Sequence, residues 1–275
     1  MIYLNGNWVL ENDAKISVMD LAVLRGFGIF DFLRTYGKNP FRLEDHIDRF
    51  FNSASLVGMT PVHSKDEIIK LVKEGIEKNG FEHTDIKLIQ TGGLSSDGFT
   101  PENKSSFILY FFPAHIYSQQ SYENGVSVET AYLLRQLPEI KTINYAASIV
   151  AVLQARKRGA IDILHTDQEG NIYEGTRNNF FVVKDGVIIT AQKGILYGIT
   201  RKVILEIVER KKIKIEFRSP TVSELLEISE ACISSSTKEI MPVVKINNVT
   251  FGNGKVGPVT RILMEEFHKL TRAIA

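Results

Sequence analysis

The stretch 138–183 constrains the chain most, because it joins a helix-like run to a set of alternating strands with almost no linker between them. Pro138 stands ahead of Lys141, and residues 145–158 read as a helix closed by Gly159. Short strands follow over 161–165, 171–173 and 179–184, and Asp185-Gly186 reads as a tight turn into Val187-Ile188-Ile189. Helix and hairpins in one segment point to an α+β chain.

Two residues of this stretch carry chemistry. A lysine on a short link before a helix can be held with its amine in a cleft. Once desolvated, its pKa falls, and the free amine becomes a nucleophile toward carbonyls. Glu174 lies in Tyr173-Glu174-Gly175-Thr176-Arg177-Asn178-Asn179-Phe180. A carboxylate beside a strand suits another task, holding a proton on a ring nitrogen. Lysine as Schiff base plus an acidic pyridinium partner is the minimal apparatus of pyridoxal 5'-phosphate (PLP) catalysis. By themselves the residues also fit a solvated lysine and a Glu-Gly turn.

The 275 residues suit two packed domains. A net charge of +1 gives no bulk attraction to nucleic acid or membrane. The single cysteine, Cys232, excludes an internal disulfide framework and fits a cytoplasmic protein. Its apolar neighbours Ala231 and Ile233 mark it as buried and inert. No apolar run approaches the roughly 20 residues of a membrane span, no signal peptide is evident, and no metal-ligand set stands out.

Residues 2–10 read as a hairpin turning at Asn5-Gly6-Asn7, with Ala14-Lys15-Ile16-Ser17 continuing the sheet. Phe30-Asp31-Phe32-Leu33-Arg34-Thr35-Tyr36 alternates as a strand. Residues 43–57 place Leu43, His46, Ile47, Phe50 and Phe51 on one helical face. Ser64 and Glu67 form a capping box for a helix that Asn79-Gly80 ends. Strands over 85–91 and 106–112 complete an N-terminal α+β domain, residues 1–113. The polar residues 114–123 read as an interdomain linker, and 124–275 as the C-terminal domain carrying Lys141. Gly92-Gly93 and Ser95-Ser96-Asp97-Gly98 lack the spacing of a Walker loop or a Rossmann fingerprint.

Three segments, in order, resemble the class IV (fold type IV) PLP-dependent aminotransferases: the branched-chain and D-amino-acid aminotransferases and the aminodeoxychorismate lyases. They are Lys141-Thr142-Ile143-Asn144, Glu174-Gly175-Thr176-Arg177-Asn178-Asn179-Phe180-Phe181 and Gly198-Ile199-Thr200-Arg201. The resemblance extends over nearly the whole chain. It implies a two-domain α+β fold with the cofactor at the domain interface, and a homodimer moving an amino group between a branched-chain L- or D-amino acid and a 2-oxo acid such as 2-oxoglutarate.

It also implies roles. Lys141 is the Schiff-base lysine and Glu174 the partner of the pyridine nitrogen. Glu44-Asp45-His46-Ile47-Asp48-Arg49-Phe50 resembles the family's His-x-x-Arg-Leu motif, which makes Arg49 a phosphate ligand; a surface ion pair with Asp45 is the other reading. His46 reads as a satisfied, partly buried histidine. Ile199 and Thr200, opening a helix, and Ser236, in a run of hydroxyls, resemble the phosphate cup. Thr237 lies nearer the substrate carboxylate. Tyr145 resembles the tyrosine that bonds the cofactor's phenolic oxygen, one residue out of step. Phe30 falls on a pocket-lining aromatic position, whereas Phe32 reads as packing.

The usual carboxylate clamp departs from the family pattern. Thr91-Gly92-Gly93 lacks the arginine of the D-amino-acid enzymes, and Lys87 stands where branched-chain enzymes carry an arginine. Arg177 and Arg25 are the candidates to compensate, with a surface or dimer-contact role as the alternative for each. Tyr145 also replaces the arginine that the lyases tend to show after Lys-x-x-Asn, which leaves a lyase as the second reading and a non-catalytic PLP-binding relative as the third.

Overall fold

A computed structural model of the chain describes residues 1–275. It has two compact units. The first comprises Met1–His115, Ile140–Asn144 and Thr271–Ala275, and the second Ile116–Glu139 and Tyr145–Leu270.

The first unit holds strands β1 (Ile2–Leu4), β2 (Asn7–Val9), β3 (Gly28–Tyr36), β4 (Asn39–Pro40), β5 (Thr84–Thr91) and β6 (Phe107–Pro113), with helices α1 (Leu21–Arg25), α2 (Leu43–Leu56) and α3 (Lys65–Asn79). The strands form one antiparallel sheet in the order β2-β1-β6-β5-β3-β4. Asn5 and Gly6 both take positive φ, the backbone that closes a two-residue hairpin. Ala14–Ser17 does not extend the sheet. The chain makes a 3-10 turn at Glu11–Asp13, and the alternating Ile16 and Val18 beyond it stay exposed instead of packing on the sheet.

Period-2 alternation divides β3. Ile29 and Leu33 turn toward α2 and α3 and join Ile47, Phe50, Ile68, Val72, Ile86, Leu88 and Phe107 in the core. The packing is close: a Cβ on Gly75 of α3 would collide with the Phe111 ring. Under the sheet end, Arg34 grips Asp85 with two hydrogen bonds of 2.7 and 2.9 Å, both side chains buried. Such a fork orients β3 and β5 more than it stabilises them.

The segment around Lys141 belongs to this first unit and not, as its sequence position suggested, to the second. Its backbone lies along the start of β3. Phe30 N–H donates to Lys141 O at 2.9 Å, Ile143 N–H donates to Gly28 O at 3.1 Å, and Ile29 bridges Thr142. Strand-edge hydrogen bonds therefore decide where the lysine sits.

The second unit holds α4 (Gln119–Asn124), β7 (Val126–Tyr132), α5 (Ala146–Lys157), β8 (Ile163–Thr166), β9 (Ile172–Gly175), β10 (Asn179–Lys184), β11 (Val187–Thr190), α6 (Ile199–Arg210), β12 (Ile215–Phe217), β13 (Glu230–Ser235), β14 (Glu239–Ile246), β15 (Val249–Thr250) and α7 (Pro258–Arg272). Residues 114–123 are not a plain tether: the unit starts at Ile116, and α4 occupies the last part, ended by Gly125 at positive φ. The sheet runs β12-β11-β10-β13-β14-β7-β8-β9, and β9 also pairs with β10, so the path closes on itself like a barrel. The closing pair is Asn179 with Glu174. Val128, Leu164, Phe180, Val182, Ile233 and Met241 fill the interior.

Candidate active site

In the first unit the candidate residues gather on β3 and its two neighbours. Phe30 points away from the Ile29–Leu33 face and is buried. The Lys141 ammonium stands 4.6 Å from the centre of its ring and that of Lys87 4.8 Å. Lys87 is opposite Phe32 on β5, and so on the same face, one pair along. Two amines thus share one aromatic ring, a cation–π arrangement that draws both to the same wall. Phe32, on the same face, packs on Phe112 with ring centres 5.8 Å apart.

On the opposite face of β3, Asp31 is fully buried and faces α2. Arg49 donates to it from Nε at 2.8 Å and from one Nη at 2.9 Å, and His46 Nδ1 lies 2.7 Å from the same carboxylate. Asp45, the helical neighbour of Arg49, lies 3.6 Å from Arg42. Burial pushes the Asp31 carboxyl up, but the charges of Arg49 and His46 outweigh it and hold it well below the usual carboxylate range. Burial pushes His46 down, against the pull of Asp31. Asp31 therefore orients Arg49, a role the sequence reading missed. Its signal was a charge at a core-facing position between two aromatics.

In the second unit Glu174 lies at the barrel seam and is 3 % exposed. Its Oε1 accepts from Arg135 at 2.9 Å; its Oε2 accepts from Leu196 N–H at 3.0 Å and from Asn179 Nδ2 at 3.4 Å. The carboxylate is fixed from three directions. Arg135 was also missed, because nothing in a loop 39 residues away marks it as a partner. Asn179 donates again to Leu196 O at 2.7 Å. That brings its Oδ1 onto the place a Gly198 Cβ would take, so only glycine fits there.

Gly198 is the N-cap of α6, and no side chain caps the helix. The first-turn N–H groups at Ile199 and Thr200 are left for another acceptor, and the helix dipole favours an anion there. Ser236 and Thr237 occupy the turn between β13 and β14, closed by a bond from Lys238 N–H to Ser235 Oγ and by Glu239 at positive φ. Two buried polar atoms near this seam, Ser234 Oγ and Asn178 Oδ1, have no protein partner, and Ser234 is directly opposite Asn179. Buried polar atoms are normally matched. An uncapped helix start, hydroxyl-rich turn and fixed carboxylate form a donor and acceptor set that fits a phosphorylated pyridine.

The remaining candidates are dispersed. Tyr145 is the N-cap of α5. Arg177 is exposed beside Glu174; Arg25 ends α1, exposed, with one Nη on Leu24 O. Cys232 is buried, and burial pushes its thiol up to about 12, as suits an inert packing residue.

His165, on β8, is 1 % exposed, and its Nε2 has no partner. Burial, reinforced by the Arg135 charge, pushes it down from 6.5 to about 4. The unfolded chain then takes up this proton first as pH falls. The stability is complete above the unfolded value and is lost as pH drops toward the folded one. At pH 5 the wild type is expected to lose about 2 kcal/mol through this group. Urea unfolding of wild type and His165→Gln at pH 7.5 and pH 5 checks it, the variant showing the smaller difference.

Comparison with known proteins agrees with this chemistry. The amino-transferase class IV family model matches residues 28–246. A D-alanine aminotransferase of Staphylococcus haemolyticus is 34% identical over 274 residues, covering 98% of this chain and 96% of the relative. A putative branched-chain-amino-acid aminotransferase of Methanocaldococcus jannaschii is 32% identical over 272 residues, covering 97% and 94%. The crystal structure of a branched-chain amino acid aminotransferase of Escherichia coli superposes with a TM-score of 0.92 at 28% identity, covering 98% of this chain and 94% of that one. With this family match over most of its length, on a fold that carries a fixed buried carboxylate and an anion-ready helix start, the chain belongs to the class IV aminotransferases, which are PLP-dependent transaminases.

Proposed function

We propose that the protein moves an amino group between an aliphatic amino acid and a 2-oxo acid such as 2-oxoglutarate. The observation that carries this reading is the placement of Lys141 and Lys87 over the one ring of Phe30. One amine serves proton transfer, and the other supplies a cation for a substrate carboxylate beside an apolar, aromatic wall. Arg25 and Arg177 are both exposed, which favours Lys87 as the clamp.

PLP, when bound, supplies an electron sink for the charge left at the substrate Cα. Lys141 would hold the cofactor and carry the proton to and from that carbon. Glu174 holds a proton at the ring nitrogen, and Arg135, Leu196 N–H and Asn179 keep its carboxylate aimed. Ile199, Thr200 and Ser236 would bind the phosphate, and Arg49, held in the orientation that Asp31 imposes, would supply its cation. Tyr145 would bond the cofactor's phenolic oxygen, and Thr237 and Lys87 would each offer a donor to the substrate carboxylate. A homodimer in the cytoplasm belongs to the same proposal; α5 exposes Ile149, Val150 and Leu153, an apolar patch suited to a partner subunit.

The test adds L-leucine, L-valine, D-alanine and D-glutamate singly to the PLP-loaded protein and follows loss of its visible absorption band. Bleaching by the aliphatic acids and not by D-glutamate is the expected result. Bleaching by D-glutamate alone would overturn the aliphatic assignment. No bleaching by any of the four would turn the reading to the lyase.

A further inference from the structure

One buried carboxylate ties together two turns of the second unit. Asp162, just before β8, is 1 % exposed. Its Oδ1 accepts from Thr176 Oγ1 and from Ile163 N–H, and its Oδ2 accepts from Asn178 Nδ2 at 2.7 Å. Thr176 and Asn178 form the turn that begins directly after Glu174 and Gly175. The turn is tight: a Cβ on Gly175 would collide with Asn178 Oδ1.

The fourth partner comes from another turn. Lys238 Nζ lies 3.5 Å from Asp162 Oδ2, with both side chains 2% exposed. Lys238 follows Ser236 and Thr237 in the β13–β14 turn. Its ammonium also stands 5.8 Å from the Tyr117 ring centre, and its carbonyl accepts from Tyr122 Oη at 3.2 Å. The lysine therefore joins the Ser236–Thr237 turn to the Asp162 cluster on one side and to the segment around α4 on the other.

A lysine this deeply buried is not retained for stability. Its desolvation offsets much of the attraction to Asp162, and a well-packed apolar pair would hold the hairpin as well. What an apolar pair lacks is direction: a carboxylate with three fixed donors accepts the fourth only from one side. We propose that Lys238 and Asp162 are positioning residues that fix the Ser236–Thr237 turn against the Thr176–Asn178 turn, and thereby set the binding groups of Ser236 and Thr237. This rests on the assignment of Ser236 and Thr237 given above.

The test compares Lys238→Met, Lys238→Arg, and the double variant Lys238→Met/Asp162→Asn with wild type. PLP affinity is read by titrating the apoprotein, KM and kcat from steady-state transamination, and stability from thermal unfolding. Lys238→Met is expected to weaken PLP binding and raise KM for the amino donor, each roughly tenfold, with kcat changed by less than about threefold. Lys238→Arg is expected to recover most of both. The double variant leaves no unpaired charge, so it should regain thermal stability without regaining PLP affinity or KM.

Full recovery of all three in the double variant would overturn the proposal, since the pair would then only balance charge. Should Lys238→Met not fold, the double variant carries the same comparison. Ser236→Ala separates the two levels of the argument. If it leaves PLP affinity intact, the assignment of the turn fails and the proposal with it. If it weakens PLP binding while Lys238→Met does not, the positioning role alone fails.

Discussion

Lys141→Ala is expected to lose transamination by roughly 10^3-fold or more, because one side chain both anchors the cofactor and moves the proton. The variant should fold normally. The contacts that place residue 141 are made by its backbone: its N–H donates to Ser53 Oγ at 3.2 Å and its carbonyl accepts from Phe30 N–H. Alanine removes the amine over the Phe30 ring, a contact worth about 1 kcal/mol. Kinetics with a saturating donor, beside thermal unfolding of the same preparation, check this. Residual activity above a tenth of wild type, in a protein of unchanged stability, would remove Lys141 from the mechanism.

Glu174→Gln is expected to lower both rate and stability. The amide keeps the shape of the carboxylate but leaves Arg135, 16% exposed, without its counter-charge. Removing one partner of such a pair costs about 3 kcal/mol, most of it the penalty on the cation left behind. A neutral amide also cannot hold a proton on a ring nitrogen as an anion does, so kcat should fall roughly 10^2-fold even with saturating PLP. Arg135→Met in the Glu174→Gln background isolates the second effect. The double variant should recover stability and stay slow. If stability and kcat returned together, Glu174 would be only the arginine's partner.

The two variants probe contacts of opposite origin. The turn at Asn5-Gly6, the capping box of Ser64 and Glu67, and the apolar face of α2 were legible in the sequence because each is local: a φ sign, a three-residue reach, a helical period. The expected strand at 14–17 did not form although Ala14, Ile16 and Val18 alternate; Ile16 and Val18 stay exposed, so alternation alone did not make a strand. A second capping box, Thr221 with Glu224, closes the 3-10 turn Val222–Glu227 by the same short reach. The pairing of Arg49 illustrates the limit. Helical spacing offered Asp45, and the fold supplied Asp31 from the facing strand, because a buried carboxylate without a cation costs more than an exposed one.

By itself, the sequence determined the family, the order of the three motif segments, most helices and hairpins, and the residue types available for cofactor chemistry. These follow from short-range periodicity, turn chemistry and motif spacing. Only the tertiary structure decided that the Lys141 segment lies along β3, that β9 closes on β10 with Glu174 at the seam, and that Arg135, Asp31 and the Lys238–Asp162 pair hold those groups in place. The charged pairs among these contacts join residues 18, 39 and 76 positions apart. Their partners are chosen by burial and by the need to match buried charge, which no local pattern of the chain encodes.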